Sequence, residues 1–126
     1  MTLTTILEAL STIIKDATKI PVKVGWISTN DTIPLITVMH MGGGAEIMAL
    51  TEKTLRTYEF QIDIWHKSAK SRDQAYEQIL DALLKNWKNH YQSYGWWSVN
   101  VYRTIDIEEE GVFRKTMLLV LKEVVS

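Results

Sequence analysis

The residues that could carry acid–base or metal chemistry are few and widely spaced. The three histidines, His40, His66 and His90, do not form a ligand pair such as H-x-x-x-H. Asp63 and His66 are close in sequence, but their spacing places them on opposite faces of an extended strand. The chain has no cysteine, which excludes disulfides, thiolate nucleophiles and cysteine-bound zinc. We therefore expect no catalytic residue, no metal and no cofactor.

The glycine triplet Gly42-Gly43-Gly44 has the backbone freedom that phosphate-binding loops use. No Lys-Ser or Lys-Thr pair follows it, and Glu46 would repel a phosphate, so the pattern disfavours a nucleotide site. Three successive glycines are also costly to order, which predicts that they break the preceding strand. The segment Ala45–Lys53 suits a short helix, a strand extension or a mobile arm. We predict a flexible loop or arm over about residues 42–53.

The acidic run Glu108, Glu109 and Glu110 offers carboxylate oxygens, the ligands that hard cations prefer. Three consecutive residues cannot all point at one ion without an unusual turn. Gly111 follows them, and a glycine at the end of a polar turn is typical of a hairpin loop. We therefore interpret the run as a solvated hairpin turn.

A small basic group, formed by Lys67, Lys70 and Arg72, opens the second predicted helix. Acidic residues interrupt it, so it is a weak indication of nucleic-acid binding. The whole chain carries 14 Lys and Arg against 15 Asp and Glu. This balance argues against duplex DNA or an anionic membrane surface as the main partner.

Hydrophobic periodicity predicts that residues 1–126 form a single α+β domain. Apolar residues at three- and four-residue steps predict helices over about 3–17 and 72–90, the second with Trp87 on its apolar stripe. Alternating patterns predict strands, which lie at about 21–26, 34–41, 54–66, 97–107 and 112–125. The order is α-β-β-β-α-β-β, with two helices packed on one face of an antiparallel or mixed sheet. Turn-forming residues at 28–31 predict that the first two strands form a hairpin.

The aromatic residues, which include five Trp and five Tyr, are badly placed for a single core. If Trp97 faces the helices, then Trp96 and Tyr102 face away, and Trp65 lies opposite the apolar row of its own strand. An exposed apolar sheet face typically marks a partner surface, although the N-terminal hairpin or residues 45–53 would offer an alternative cover. The predicted interface residues are Trp65, Trp96, Tyr102, Leu118, Val120, Lys67, Lys70, Arg72, Glu108, Glu109 and Glu110.

Two strands and the order of the elements resemble a known protein family. The strands are Pro34-Leu35-Ile36-Thr37-Val38 and the segment Arg56–Trp65, which contains Gln61-Ile62-Asp63-Ile64-Trp65 as the closest match. They are similar to the tail-completion proteins of long-tailed bacterial and archaeal viruses, the group of tail terminators or tail-to-head joining proteins. The resemblance covers nearly the whole chain.

This resemblance implies a non-enzymatic virion protein at the tail–head junction, assembled in the host cytoplasm. Family members form a hexameric ring that caps the tail tube, stops its polymerisation and docks onto the head connector. The implied partners are further copies of the chain, the tail tube protein and the head connector, with no membrane and with DNA at most passing through the ring lumen. A ring needs two different surfaces on each subunit. The apolar sheet face is one candidate, and the acidic turn against a neighbour's basic group is the other.

The residues also leave two other functions open. One is a small-ligand-binding or enzymatic α+β domain, whose pocket between helices and sheet would be lined by His40 or His66. The other is a single-stranded nucleic-acid binder that stacks bases on Trp65, Trp96 and Tyr102. The sequence lacks the basic groove that normally accompanies such stacking.

Overall fold

A mixed sheet with helices on one face forms the frame of the protein. The computed structural model describes residues 1–48 and 51–125. The helices are α1 (Leu3–Thr18), α2 (Ala69–Leu80) and α3 (Trp87–Tyr94), and a π-helical segment, Asp81–Lys85, follows α2. The strands are β1 (Val22–Val24), β2 (Leu35–Met48), β3 (Lys53–His66), β4 (Trp96–Glu109) and β5 (Val112–Val125). They form one sheet in the order β1-β2-β3-β5-β4, which confirms the α+β class and the predicted order of elements.

Helix α1 begins at a threonine cap and ends at a left-handed residue. Thr2 Oγ1 accepts a hydrogen bond from the Thr5 N–H at 3.2 Å, which satisfies an otherwise free amide of the first turn. At the other end Lys19 has a φ of 60°, and its N–H donates to the Lys15 carbonyl at 2.8 Å. The buried face of α1 consists of Ile6, Leu10 and Ile14.

The second helical region contains two helices where the periodicity predicts one. Ser68 caps α2, because its Oγ accepts a hydrogen bond from the Ser71 N–H at 3.2 Å. The π-helical segment holds more residues per turn than an α-helix, and this rotates the residues that follow it about the helix axis. Trp87 is therefore exposed, although the apolar stripe predicts it to be buried, and His90 takes the buried position.

Strand β1 runs parallel to β2, so the predicted hairpin between them is wrong. Val22 pairs with Ile36 in the parallel register. The connecting residues 25–34 cross the face of the sheet opposite the helices, where Trp26 contacts Trp65. Turn-forming residues bend this connection locally, but they do not set the direction in which the next strand enters the sheet.

Strand β2 continues through the glycine triplet, so the prediction that the glycines break this strand is wrong. A β-bulge at Met41 shifts the register, and Gly43 then pairs with Tyr58 of β3. A close approach requires one of the glycines, because a Cβ on Gly43 would collide with the Thr57 carbonyl oxygen. The described part of the predicted arm thus includes the end of β2, while Ala49 and Leu50 lie outside the described residues. The flexibility of the arm stays a prediction.

Strands β4 and β5 form a hairpin whose turn is Glu110-Gly111, as the acidic run and its glycine predict. Both turn residues have positive φ, 47° and 79°, as a type I′ turn requires. Bulges at Trp97 and Tyr102 interrupt β4, and each shifts the alternation of its side chains. Trp96 consequently faces the helices and is buried, whereas Trp97 is exposed. The predicted faces of these two tryptophans are wrong for this reason.

The core lies between the helices and the side of the sheet that faces them. Helix α1 and helix α2 both contribute to it, together with the central strands β2, β3 and β5. Within the described residues, no helix combines the length and the apolar character needed to span a membrane. The largest fully buried side chains are Phe60, Ile6, Leu10, Ile14, Ile36, Ile62, Ile64, Ile79, Leu83, Met117, Leu119 and Leu121.

Candidate interaction surfaces

The connection between β1 and β2 covers part of the sheet face opposite the helices. Trp26 packs edge-to-face on Trp65, with ring centroids 5.3 Å apart. The guanidinium carbon of Arg114 lies 4.9 Å from the Trp26 ring centroid and 4.6 Å from that of Trp65. Trp65 also donates its indole N–H to Thr37 Oγ1 at 3.1 Å. The chain itself therefore covers the predicted interface residue Trp65, in line with the alternative that the sequence leaves open.

A buried carboxylate network lies beneath this tryptophan pair. Asp63 is fully buried, and its Oδ1 accepts hydrogen bonds from Thr116 Oγ1 at 2.6 Å and from Arg114 Nε at 3.0 Å. Its Oδ2 accepts a hydrogen bond from Gln61 Nε2 at 2.9 Å. A buried charge is tolerated only when it is paired and hydrogen-bonded, and these contacts satisfy that condition. Asp63 therefore joins β3 to β5 in the middle of this face.

The acidic turn borders a cleft at the end of the same face. The cleft measures about 260 Å³ and is shared by the β1–β2 connection and the β4–β5 hairpin. Glu109 and Glu110 line it together with Ile27, Ile33 and Arg114. Glu108 is exposed at the neighbouring position of β4.

The remaining apolar residues predicted for this face differ in their exposure. Leu118 and Val120 of β5 are half-buried, and they pair with Gln61 and Glu59 of β3, respectively. Tyr102, at the second bulge of β4, is exposed. The three rings of the predicted base-stacking platform are therefore not assembled, because Trp65 is covered and Trp96 is in the core.

Arg72 belongs to an ion-pair network within its own chain. Its Nε lies 2.9 Å from Asp73 Oδ1, and its Nη2 lies 3.5 Å from Asp106 Oδ2. Lys115 Nζ contacts the same two carboxylates at 3.2 and 3.0 Å. The hydrogen bond to Asp73 raises the pKa of Arg72 and, together with that from Lys115, lowers the pKa of Asp73. For Lys115, burial pulls the pKa down, but hydrogen bonds to both carboxylates outweigh it and leave the pKa raised.

This network changes what the predicted basic group can do. Arg72 is buried, so it does not present its charge to a neighbouring molecule. Lys67 and Lys70 are exposed and still suit a contact with an acidic partner. The network instead fastens the start of α2 to β4 and β5.

An exposed aromatic surface lies at the β4 edge of the sheet. Trp87, Tyr91 and Trp97 are 59%, 52% and 62% exposed. They line a cleft of about 260 Å³, called the aromatic cleft below, whose lining residues are Trp87, Tyr91, Trp96, Trp97, Ser98 and Val99. Lys88 Nζ lies 5.6 Å from the centroid of the Trp87 ring. Clustered exposed aromatic rings are typical of a partner surface.

The sequence patterns missed this cleft because two irregularities create it. The π-helical segment turns Trp87 outward, and the bulge at Trp97 places that ring on the outside of β4. One signal was present in the sequence. Adjacent residues of a regular strand point to opposite faces, so the Trp96-Trp97 pair requires one ring to leave the core.

Polar groups without hydrogen-bond partners lie beneath the aromatic cleft. Within the described residues, Trp96 Nε1, His90 Nδ1 and both carboxylate oxygens of Glu123 are buried and make no hydrogen bond. Glu123 pairs with Trp96 across the strands, and the rings of His90 and Trp96 are 5.5 Å apart. Oε2 of Glu123 lies 3.4 Å from the Met1 ammonium group, an ion pair without a hydrogen bond. Unsatisfied groups of this kind lower the stability of this end of the sheet.

The histidines lie in three separate environments. His40 is exposed beside the rings of Tyr58 and Phe60. His66 is half-buried and accepts a hydrogen bond at Nδ1 from the Lys67 N–H at 2.9 Å, and burial lowers its pKa. Over residues 1–48 and 51–125, no three His, Asp or Glu side chains converge in an arrangement that could hold a metal ion.

The chain matches no protein-family model and no curated protein sequence. Its fold is similar to that of a chain in a solved structure described as the virion of the native gene transfer agent (GTA) particle, with a TM-score of 0.54. The two chains are 13% identical, and the similarity covers 93% of this chain and 84% of the other. This likeness shows that the two chains share a fold over nearly the whole of this protein.

Proposed function

We propose that this protein is a non-enzymatic structural component of a phage-like virion. The observation that supports the proposal is the fold similarity to a chain of the GTA virion over 93% of this chain. More specifically, the protein acts as a tail terminator or neck protein that caps the tail tube and joins the tail to the head connector. The strand Gln61-Ile62-Asp63-Ile64-Trp65, which resembles the tail-completion proteins, supports this finer assignment.

In this role the protein works as a ring of six identical subunits. A ring contact is head-to-tail, so each subunit must carry two unlike surfaces that fit each other. The aromatic cleft is one surface of suitable chemistry. The exposed Lys67 and Lys70, facing a neighbour's acidic turn at Glu108–Glu110, add rim charges that set the register of neighbouring subunits.

The ring meets the tail tube protein on one side and the head connector on the other, at the tail–head junction of a virion assembled in the host cytoplasm. The role depends on shape and on subunit contacts, so it requires no cofactor. The net charge of −1 suits a part that contacts proteins and lets DNA pass through its lumen without holding it.

Deletion of the gene from the viral genome tests the assignment. We expect DNA-filled heads without tails, together with free tails of uncontrolled length, in electron micrographs of lysates. Supplying the wild-type gene in trans should restore complete virions, which controls for effects on neighbouring genes. Complete virions of normal tail length from the deletion strain would overturn the proposal.

A biochemical test uses purified tail tubes. We expect the full-length protein to bind one end of each tube and to stop further addition of tube subunits. Light scattering measures tube length with and without the protein. Continued elongation at saturating protein concentration would contradict a capping role.

A further inference from the structure

We propose that the tip of the β2–β3 hairpin of one subunit inserts into the aromatic cleft of its neighbour, with Ile47 as the inserted side chain. This contact rests on the proposed ring and identifies the pair of surfaces that closes it. The inserted side chain is apolar, and the cleft that receives it is lined by three exposed aromatic rings.

The hairpin tip has the right chemistry for this cleft. Ile47 is 77% exposed, the highest value for a large apolar side chain among the described residues. It lies next to Glu46 near the end of β2, where this strand pairs only with β3. An exposed isoleucine near the end of a hairpin gains free energy from burial against aromatic rings.

The two surfaces lie at the same end of the sheet but toward opposite edges of it. Ile47 pairs with Thr54, and Thr54 pairs with Val125, which places the hairpin tip at the C-terminal end of β5. Trp96 pairs with Glu123, so the aromatic cleft lies at that same end. In the strand order, β2 lies on one side of the β3–β5 pair and β4 lies on the other. Rotation about an axis roughly parallel to the strands therefore brings the tip of one subunit level with the cleft of the next.

A subunit cannot fill its own cleft in this fold. Strands β3 and β5 separate β2 from β4, and neighbouring strands lie about 4.8 Å apart, so the separation is roughly 14 Å. Both hairpin strands are fixed by their pairing in the sheet. The occupant must therefore come from a second copy of the chain.

Side-chain insertion fits the β4 edge better than strand addition does. The outer edge of β4 carries unpaired backbone groups, which could recruit a neighbouring strand. The bulges at Trp97 and Tyr102 disturb the regular spacing of those groups along β4. Bulges of this kind are a usual protection against edge-to-edge pairing, and the first of them also presents Trp97 to the outside.

The charges around the two surfaces are complementary. Glu46 and Glu52 flank the exposed isoleucine, and both are exposed. Lys88 lies beside the cleft with its ammonium group 5.6 Å from the Trp87 ring centroid. Pairing Glu46 with Lys88 of the neighbouring copy fixes the direction of insertion, since a reversed contact places the charges apart.

Site-directed crosslinking tests the contact directly, because the chain has no cysteine of its own. Full-length Glu46→Cys and Lys88→Cys variants are mixed and oxidised, alone and in the presence of tail tubes. We expect a disulfide-linked heterodimer of the two variants on a non-reducing gel. Lys67→Cys in place of Lys88→Cys is the control, since Lys67 follows β3 at the opposite end of the sheet. Equal crosslinking of the control, or none with Lys88→Cys, would overturn the proposal.

Substitutions provide the second test. Ile47→Ser and Trp97→Ala should each weaken self-association at least tenfold by light scattering, while Met41→Ser, which removes another exposed apolar side chain, should not. Glu46→Lys and Lys88→Glu should each weaken it, and the two together should restore it. Circular dichroism of each variant checks that it folds.

The outcomes separate this contact from the proposed function. Rings that persist in Trp97→Ala and Ile47→Ser overturn the contact and leave the ring assignment intact. Normal virions after gene deletion overturn the ring assignment whatever the crosslinking shows. Quenching of tryptophan fluorescence by single-stranded oligonucleotides, lost in Trp97→Ala and without any subunit crosslink, would assign the cleft to nucleic acid and overturn the proposal.

Discussion

The Nε atom of Arg114 lies 3.0 Å from Oδ1 of Asp63, and this ion pair joins β5 to β3 on the sheet face away from the helices. Asp63 is fully buried, whereas the Arg114 side chain is 21% exposed. The guanidinium group also lies against the Trp26 and Trp65 rings, so one side chain connects the buried carboxylate to the crossing β1–β2 connection. The face that periodicity predicts to be open is therefore closed in its middle.

Replacing Arg114 should show how much its pairing with Asp63 contributes to the free energy of unfolding. We expect Arg114→Met to lower the free energy of unfolding by about 3 kcal/mol, because fully buried Asp63 would lose its cationic partner and the hydrogen bond from Arg114 Nε. Chemical denaturation measures the change. The double variant with Asp63→Asn should be more stable than Arg114→Met alone, since it also removes the carboxyl group that has lost its partner. A loss below about 1 kcal/mol in the single variant would show that the pair contributes little.

Two exposed tryptophans should differ sharply in their effect on stability. Trp26→Ala removes the edge-to-face contact with Trp65 and one ring beside Arg114, and should cost about 1–2 kcal/mol. Trp97→Ala removes a ring that projects outward, and should change the free energy of unfolding by less than about 0.5 kcal/mol. Thermal and chemical denaturation of both variants provide the comparison. A similar loss of unfolding free energy in the two variants would contradict the view that Trp26 covers the sheet whereas Trp97 binds a partner.

Neighbouring glycines of the triplet should respond differently to the same substitution. Gly43→Ala should destabilise the β2–β3 hairpin by about 1–3 kcal/mol, because the new methyl group meets the Thr57 carbonyl oxygen. Gly44→Ala is the matched control, since a Cβ there has no heavy atom within 4 Å. Removing a glycine also restricts the unfolded chain, so Gly44→Ala should be neutral or slightly stabilising. Hydrogen exchange of the hairpin amides measures both effects, and equal protection in the two variants would contradict this prediction.

Stability should fall as the pH drops through the ordinary titration range of histidine. Burial lowers the pKa of His66 below its usual 6.5, so the unfolded state binds a proton more readily than the folded state. The destabilisation begins near pH 6.5 and grows until the folded-state pKa is passed, because burial and the nearby Lys67 charge both disfavour the protonated ring in the folded state. Between pH 8 and pH 5, the free energy of unfolding should fall more for the wild type than for His66→Gln, as measured by chemical denaturation at each pH. Identical pH dependence in the two proteins would refute this effect.

Local patterns predicted most of the secondary structure correctly. Helix α1 follows from its apolar residues at three- and four-residue steps, and β3 follows from the alternation between Tyr58 and Trp65. These patterns depend on residues close in sequence, which is why they can be read without a structure. The acidic run ending in Gly111 likewise predicted the β4–β5 turn, because that turn needs a residue that tolerates positive φ.

The candidate surfaces were harder to predict, because small irregularities decide which side chains are exposed. A bulge in β4 exchanges the roles of Trp96 and Trp97, and a π-helical segment exposes Trp87. Arg72 was predicted to contact a neighbouring subunit's acidic turn, yet it pairs with Asp106 of its own chain, a residue far away in sequence. Each of these outcomes depends on partners that periodicity does not identify.

The sequence by itself thus determined the class of the fold and the order of its elements. Only the tertiary structure decided that β1 runs parallel to β2, that Trp65 is covered by Trp26, and that the aromatic cleft lies at the β4 edge. The physical reason is that strand direction, bulges and ion pairs are set by contacts between distant residues. Helical and strand periodicity, in contrast, arises from the backbone geometry of neighbouring residues.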